Sequence, residues 1–391
     1  LSPDADKLAA ARAGLTRNQS AVLDGALSVA GRNASADAVM LMSDTGQRAD
    51  ALDQLSGEVH GSAVSALYSN TQLLNRTVAR RMSANLGAGL LAGAPTAQAA
   101  GPAAASAMPG TAAYPLWADV VGNWSSFDAK DNAAKAKSNT AGLFIGGDAA
   151  VGAGWRVGGA LGFTDGRIKA DAVDSRSDVT SYTAALYGGN SWAAGKGKLN
   201  FLAGVGYTHH DIDSRRSVDV GGAQTLKADY KANTTQLFAE LGYQVPVGAS
   251  SSVEPYAGLA WFNNHSDSFD EDGGPAALHG SGQTDQITTF TLGLRGNTAL
   301  QLGATEARLS AGLGWRHANG DVDATRKLAF IQGGGTAFTV AGSPVARDAA
   351  VLDLAAEVDV GRNAALGLAY GGQFGNGNKE NTGSLYLKVR F

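Results

Sequence analysis

The sequence predicts an all-β membrane fold, a twelve-stranded antiparallel transmembrane β-barrel preceded by an N-terminal α-helical segment. Three observations carry that reading. Beyond Leu116 the apolar spacing changes from a 3.6-residue period to a two-residue period. The period-2 segments are about 11 to 19 residues long, where soluble sheets favour ~5–6 and a bilayer crossing needs ~9–11. Connections after the odd-numbered segments are long or polar, whereas others are tight, such as AAGK before Gly197 and GRN after Val360.

From the N-terminus, residues 4–86 carry few Gly and read as helical. A shorter helix is expected from about Asp4 to Ala30. In the longer one Leu52, Leu55, Val59, Ala63, Ala66 and Leu67 recur at three- and four-residue steps, continuing through Leu74, Val78 and Met82. Asp44 or Thr45 can cap its start, and Arg80 and Arg81 sit where cations favour a helix C-terminal end. The opposite face carries Arg48, Asp50, Asp53, Glu58, Asn75 and Arg76, so it does not face lipid. Taken alone, the segment reads equally well as an amphipathic helix of a soluble domain.

Between Leu86 and Ala118 there is no charge, yet Pro95, Pro102, Pro109 and Pro115 would break any spanning helix, so the segment reads as a flexible linker. The run from Leu90 to Ala100 has the outline of a signal-peptide core and cleavage site, but it is short, Gly-broken and preceded by a long helical region. That reading is rejected. No signal peptide opens the chain either, so an exported protein would be a fragment of a longer precursor.

Strands are expected near 116–127, 139–152, 154–169, 177–193, 197–214, 228–247, 252–267, 285–301, 304–321, 346–361, 363–375 and 381–391. In the third, Trp155, Val157, Leu161 and Phe163 oppose Arg156, Gly158, Ala160 and Gly162. In the sixth, Leu237, Leu241 and Tyr243 oppose Gln236, Glu240 and Gly242; in the eighth, Phe290, Leu292 and Leu294 oppose Thr289, Thr291, Gly293 and Arg295. In the last, Leu385, Leu387, Val389 and Phe391 oppose Tyr386, Lys388 and Arg390. Alternation alone does not separate a membrane barrel from a soluble sandwich. Strand length, the turn asymmetry and a terminal aromatic strand without a tail favour the barrel, the β-structure that closes all its edges in lipid. Trp117, Trp124, Trp192, Trp261 and Trp315 lie near strand ends or on apolar rows, as an interfacial girdle would.

Composition narrows the function. The 391 residues carry a net charge of −4, which leaves no basic footprint for nucleic acid. The chain has no Cys, which removes disulfide scaffolds, Cys-based zinc sites and thiol catalysis and suits a chain exported unfolded. Many of the 53 Gly fall on expected inward rows, Gly158, Gly162, Gly204, Gly206, Gly258, Gly312, Gly314 and Gly367 among them, where they would leave room for a helix. Of the six His, only His209-His210-Asp211 cluster, and they read as a solvated loop mouth rather than a metal site or triad. The acidic run from Asp267 to Gly273 lacks the first ligand of a calcium loop and reads as an exposed loop. His279-Gly280-Ser281-Gly282 is not a nucleophile elbow, and neither Gly146-Gly147 nor Gly333 to Gly335 has the context of a phosphate loop.

The terminal GSLYLKVRF, with PLWADVVGNW at the first strand, AELGYQV around Glu240, EPYAGLAW around Tyr256, TLGLRG around Arg295 and the helix LDQLSGEVHGSAVSAL, resembles the translocator domain of type Va autotransporters. It is most similar to those with subtilisin-like protease passengers, over essentially all of 45–391. The resemblance implies a barrel that inserts in the bacterial outer membrane and mediates secretion of its N-terminal passenger to the cell surface, itself no enzyme and without cofactors. It divides the chain into the passenger end and helical linker (1–43), the amphipathic lumenal helix (44–86), a Gly/Ala/Pro-rich linker (87–115) and the barrel (116–391). Leu385, Leu387, Val389 and Phe391 would be the signal read by the β-barrel assembly machinery. Asp119, Asp148, Arg156, Glu240, Arg295, Arg316, Glu357, Lys388 and Arg390 would face the lumen, opposite Arg48, Asp53, Glu58, Arg76, Arg80 and Arg81 of a plug spanning about 50–82. First strands of the family often carry Arg where this chain has Asp119, so lumen charges do not transfer position by position. Some members cleave within the pore at an Asn-Asn pair; Asn70, Asn75 and Asn85 are unpaired here, and that activity is not carried over. Implied partners are outer-membrane lipids and lipopolysaccharide, the assembly machinery, periplasmic chaperones and the passenger, with the barrel a monomer. Two other readings are a stand-alone outer-membrane protease or lipase with a rim site at His209, His210 and Asp211, and a passive porin. The first leaves the N-terminal region unexplained, and a porin would start directly with a strand.

Overall fold

The computed structural model describes residues 12–87, 115–128, 133–303, 305–361 and 363–389. Four helices come first, α1 (Arg17–Ser28), α2 (Ala34–Leu41), α3 (Thr45–Leu55) and α4 (Glu58–Gly87). Seven long strands follow: β1 (Leu116–Phe127), β2 (Ala136–Gly152), β3 (Trp155–Ala170), β4 (Ser175–Ala194), β5 (Gly197–Asp219), β6 (Ala223–Val247) and β7 (Ser251–Ser266). A loop bearing the short β8 (Phe269–Asp270) and β9 (Leu278–Gly280) leads to β10 (Gln283–Leu302) and β11 (Thr305–Gly320). A second, bearing β12 (Thr325–Phe330) and β13 (Phe338–Ala341), leads to β14 (Asp348–Asp359), β15 (Ala364–Gly375) and β16 (Asn378–Val389).

The twelve long strands close into one antiparallel barrel, and β8, β9, β12 and β13 form a separate four-stranded sheet. Closure is made by β1 on β16, with Leu116 opposite Val389 and Phe127 opposite Asn378. Every barrel strand therefore has two neighbours, which satisfies the backbone where no water reaches it. The outward rows are apolar and unusually bare: Leu161, Leu186, Leu313 and Leu368 are each 60–65% exposed. Such rows are stable only against lipid.

Two features of the barrel differ from expectation. The connections after β3 and β5 are short, because β4, β5 and β6 run on for 20, 23 and 25 residues. A strand that long reaches ~80 Å, far beyond a ~30 Å hydrocarbon core, so these three stand clear of it at the loop end. Their inner faces are buried there because α1, α2, α3 and the four-stranded sheet pack on them through Val22, Leu52, Ile212, Leu226, Leu328 and Val340. The girdle is also incomplete. Trp124, Trp192 and Trp315 are exposed, but Trp117 is buried, donating from Nε1 to the Tyr187 hydroxyl at 3.0 Å.

The expected single helix over 44–86 is two helices. Gly57, at φ +62°, turns the chain between α3 and α4, and a Cβ there would meet Leu278 at 2.8 Å. Local capping fits each helix start: the Thr16 hydroxyl and the Gln19 side chain form a reciprocal box before α1, and the Asn33 and Asp44 side chains accept from the first turns of α2 and α3.

The inward glycines serve a purpose the sequence reading assigned to the helix. A Cβ at Gly162, Gly204 or Gly367 would collide with the ring of Phe144, Phe238 or Tyr386 on a neighbouring strand. These glycines seat aromatic rings flat on the wall, and the rings in turn bound the lumen. Gly204→Ala should therefore lower barrel stability by about 1–3 kcal/mol, the usual range for overpacking. Urea unfolding of the detergent-solubilised barrel measures it, and pairing the change with Phe238→Leu should restore part of the loss. An unshifted midpoint for Gly204→Ala alone would contradict this account.

Candidate functional site

The candidate site is the occupied lumen. Thirty residues give α4 a length of ~45 Å, enough to run the barrel from the loop end to the tight-turn end. It is buried over most of its surface although it is not apolar all round, and Asn75, Arg76, Ala79, Arg80 and Ser83 are half-buried along the side that faces the remaining pore space. Its stripe of Leu74, Val78, Met82 and Leu86 packs on an apolar patch of inner wall formed by Trp117, Phe144, Leu202 and Phe238. The close approach needs missing side chains: a Cβ on Gly206 would stand 2.7 Å from Leu74, and one on Gly189 3.0 Å from Leu86.

The polar side of α4 faces β16, β1 and a cavity of about 390 Å³. Arg80 reaches Asp119 at 2.6 Å and Arg81 reaches the same oxygen at 3.4 Å. The Arg81 guanidinium also lies 3.5 Å above the Tyr386 ring centroid, a cation–π contact. Arg76 pairs with Glu380 at 3.1 Å, and Glu380 accepts the Ser69 hydroxyl at 2.6 Å. Near the turn end Asn85 donates to Asp148, which Arg156 holds at 2.5 Å. Three arginines in the second half of α4 lie toward the negative end of its dipole. Their carboxylate partners come from the wall, and Asp119 is wholly buried. A buried charge persists only when paired, so these contacts fix the rotation and depth of the helix.

The other wall charges answer one another. Arg295 sits between Glu240 at 2.5 Å and Glu254 at 2.8 Å, above the Tyr256 ring. Arg308 joins Glu306, Glu357 and Asp359 at 2.8–3.0 Å, and Lys388 meets Glu357 at 2.7 Å. Arg316 bonds the Gln72 and Gln373 side chains and, at 3.3 Å, the Thr291 hydroxyl.

Asp119, Asp148, Arg156, Glu240, Arg295, Arg316, Glu357 and Lys388 thus face inward, while Arg390 lies outside the described residues. The expected helix-to-wall pairing is corrected in part. Glu240, Arg295 and Glu357 are satisfied within the wall, because long side chains of opposite charge reach one another from strands one or two places away. Arg48 and Asp53 are not in the lumen: α3 lies at the loop end, where Arg48 donates to the Met42 carbonyl and Asp53 accepts from Gln19 at 3.0 Å. Glu58 sits at the mouth and accepts from the Ala134 amide at 3.0 Å. Sequence reading missed Glu380, whose parity with Lys388 was the available signal once the strand began at Asn378 rather than Asn381. Leu385 and Leu387 point outward, Val389 is half-buried and Phe391 lies outside the described residues.

A second ionic cluster closes the loop end. His60, in the first turns of α4, contacts Glu271 at 2.9 Å, and Arg216 binds Glu271 at 2.6 and 2.8 Å. The Phe269 ring packs on His60 and stacks on Tyr230. The acidic run from Asp267 is therefore not simply an exposed loop; β8 and β9 fold Glu271 inward as the counter-charge to Arg216. His210 is likewise buried, between Ser181 at 2.7 Å and Thr234 at 3.0 Å, not solvated at a loop mouth. His209, on the other face of β5, accompanies Asn233, so strand alternation separates the two histidines.

A family model described as "Autotransporter beta-domain" matches residues 116–371. An extracellular serine protease of Serratia marcescens is 34% identical over 343 residues, covering 86% of this chain and 30% of the relative. The chain thus spans about a third of the length of the curated relatives it matches. Among solved structures, the translocator domain of the autotransporter NalP from Neisseria meningitidis aligns with a TM-score of 0.60 and 16% identity, covering 84% of this chain and 98% of that one. The beta domain of the Bordetella autotransporter BrkA aligns at 0.53 and 16%, covering 71% and 99%.

Two outcomes follow from the ion pairs. Asp119→Asn leaves Arg81 buried with a neutral partner, and loss of a buried partner costs about 3–5 kcal/mol. The variant's lumenal helix should become protease-sensitive in reconstituted barrels, and wild-type resistance would count against the clamp. At the loop end, burial raises the Glu271 carboxyl pKa, but the Arg216 charge and hydrogen bonds, with His60, bring it down to about 2. A depressed pKa stabilises the folded state above the unfolded value of ~4.3 and loses that contribution as pH falls toward 2. Protection of residues 17–56 from acid protease should fall across that window, and Glu271→Gln should flatten the slope; an unchanged slope would refute the assignment.

Proposed function

The chain belongs to the autotransporter beta-domain family, secretion barrels of the bacterial outer membrane, and from that premise we propose how this lumen serves its N-terminal passenger. One observation carries the reading. Residues 17–56 lie at the loop end, β1 starts at the tight-turn end, and α4 joins the two levels through the pore. Polypeptide upstream of α4 has therefore crossed the barrel, while the barrel's own first strand starts on the side it crossed from. The loop end is the cell exterior in this reading, and the passenger precedes residue 17.

After transit, α4 stays behind as the plug over the inner part of the segment 44–86, and α1 to α3 dock on β4, β5 and β6 as its external stop. The apolar rows contact outer-membrane lipids, lipopolysaccharide among them. Leu385, Leu387, Val389 and Phe391 form the terminal strand signal for the β-barrel assembly machinery, and periplasmic chaperones hold the Cys-free chain before insertion. Closure leaves no strand edge for partner strands, which suits a monomer. The barrel is not itself catalytic. Two relatives are described as extracellular serine proteases and two as the esterase EstA, which supports a hydrolase as passenger, its active site upstream of these residues.

Deleting residues 58–87 should open the pore and raise single-channel conductance in planar bilayers several-fold over the wild type. Unchanged conductance would refute the plug. A foreign passenger fused ahead of Leu1 should become sensitive to external protease, and an inserted barrel that fails to display it would refute the translocator reading.

A further inference from the structure

The outer face carries one arrangement that secretion does not use. Six cations stand in one register row across neighbouring strands: Lys379 on β16, Lys137 on β2, Lys169 on β3, Arg176 on β4, Arg215 on β5 and Lys227 on β6, with Ser126 of β1 between the first two. All six are exposed. Adjacent strands lie ~4.8 Å apart, so the row runs ~30 Å around the barrel. Like charges directly opposite each other on a sheet are destabilising, and here the juxtaposition repeats from β2 to β6.

The rung beneath does not neutralise the row along its length. On β4, β5 and β6 it holds Asp178, Asp213 and Asp229, and Arg176 approaches Asp178 at 3.9 Å. On β16, β1 and β3 it holds Asn381, Trp124 and Arg167, the last bonded to Asp178, and at the far end Asp272 stands in register with Lys227. The row also begins at the lipid boundary. Lys379 is paired with the exposed Phe374 of β15, and the exposed Trp124 lies one rung below. Barrel strands tilt by ~35–45°, so a row perpendicular to them climbs obliquely from the aromatic girdle, gaining on the order of 20 Å by β6.

From this placement we propose that the row is a docking surface for the multiply phosphorylated glycolipid of the outer leaflet, lipopolysaccharide. Its headgroup phosphates would meet Lys379 and Lys137 at the girdle, and the anionic sugars above them would meet Lys169, Arg176, Arg215 and Lys227. Charge complementarity and continuity with the lipid-facing belt select this occupant over a soluble acidic protein. Acyl chains on the apolar rows and phosphates on the cations belong to one molecule. The inference rests on the outer-membrane reading and adds a lipid-specific site to it.

The test uses the full chain reconstituted in neutral detergent, with purified lipopolysaccharide as the probe and binding followed by calorimetry. The wild type should bind, more weakly as salt rises, and at least tenfold more weakly after enzymatic dephosphorylation of the glycolipid. The variant Lys137→Gln/Lys169→Gln/Arg215→Gln/Lys379→Gln should lose at least tenfold in affinity while keeping its heat-modifiable mobility and its display of a fused passenger. Retained affinity in that folded variant, or binding indifferent to salt and phosphate, would overturn the proposal. Displacement of the glycolipid by millimolar inorganic phosphate would overturn it too, because it would reduce the row to independent anion contacts. Loss of display would instead bear on the translocator reading.

Discussion

The structure turns on the contact between two adjacent arginines of the lumenal helix and the seam where the barrel closes. Asp119 on β1 and Tyr386 on β16 are direct register partners across that seam. Arg80 and Arg81 bind the Asp119 carboxylate, and Arg81 stacks on the Tyr386 ring. Higher up, Ser69 and Arg76 bind Glu380 on β16, while Asn123 of β1 donates to the Ser69 hydroxyl at 3.1 Å. The first and last barrel strands are thus joined twice, by their backbone ladder and through α4. A barrel without the helix would leave Asp119 and Glu380 without their helix partners on the ladder that closes it. The plug and the closure depend on each other, which explains why a segment with no catalytic role carries such specific polar contacts.

That contact also explains the division of the lumen. A helix held at the seam by its polar side must turn its apolar stripe elsewhere, and Trp117, Phe144, Leu202 and Phe238 receive it. The opposite wall, from β10 to β15, stands back from the helix and is reached by long side chains such as Arg316 on Gln72 and Arg76 on Gln373; there charges neutralise one another strand to strand and bound the remaining cavity. A uniformly polar pore would have held α4 loosely. A uniformly apolar one would have no means of fixing its rotation.

Much of this was legible in the sequence. The twelve barrel strands, the alternation that sorts lipid face from lumen face and the amphipathic segment before the linker all follow from apolar periodicity, which long strands repeat many times. The inward orientation of Asp119, Asp148, Arg156, Glu240, Arg295, Arg316, Glu357 and Lys388 followed from the same parity. Partner choice did not, because parity says which face a side chain joins and nothing of the height at which α4 stops. Arg48 and Asp53 show the point: they share the periodicity of the lumenal helix, yet Gly57 turns the chain before the pore. The four-stranded sheet was hidden for a different reason. Its strands are two to six residues long and lie inside loops, too short for a period to show. Glu271 was accordingly read as loop acid, although the fold buries it against Arg216.

The glycines complete the argument, since their abundance was read as space for the helix, which holds at Gly189 and Gly206, while Gly162, Gly204 and Gly367 make space for rings. An inward aromatic on a tightly curved wall must lie along the sheet or project across the pore, where it would exclude α4. With Gly162, Gly204 and Gly367 beside them, Phe144, Phe238 and Tyr386 lie along it. Phe144 and Phe238 then give the helix an apolar bed, and Tyr386 gives Arg81 a face to stack on. The pore keeps its width because these glycines let the rings lie flat. A composition rich in Gly and carrying inward aromatics on adjacent strands is therefore one device: each glycine lays a ring flat, and the flattened rings form the surface on which the plug is held.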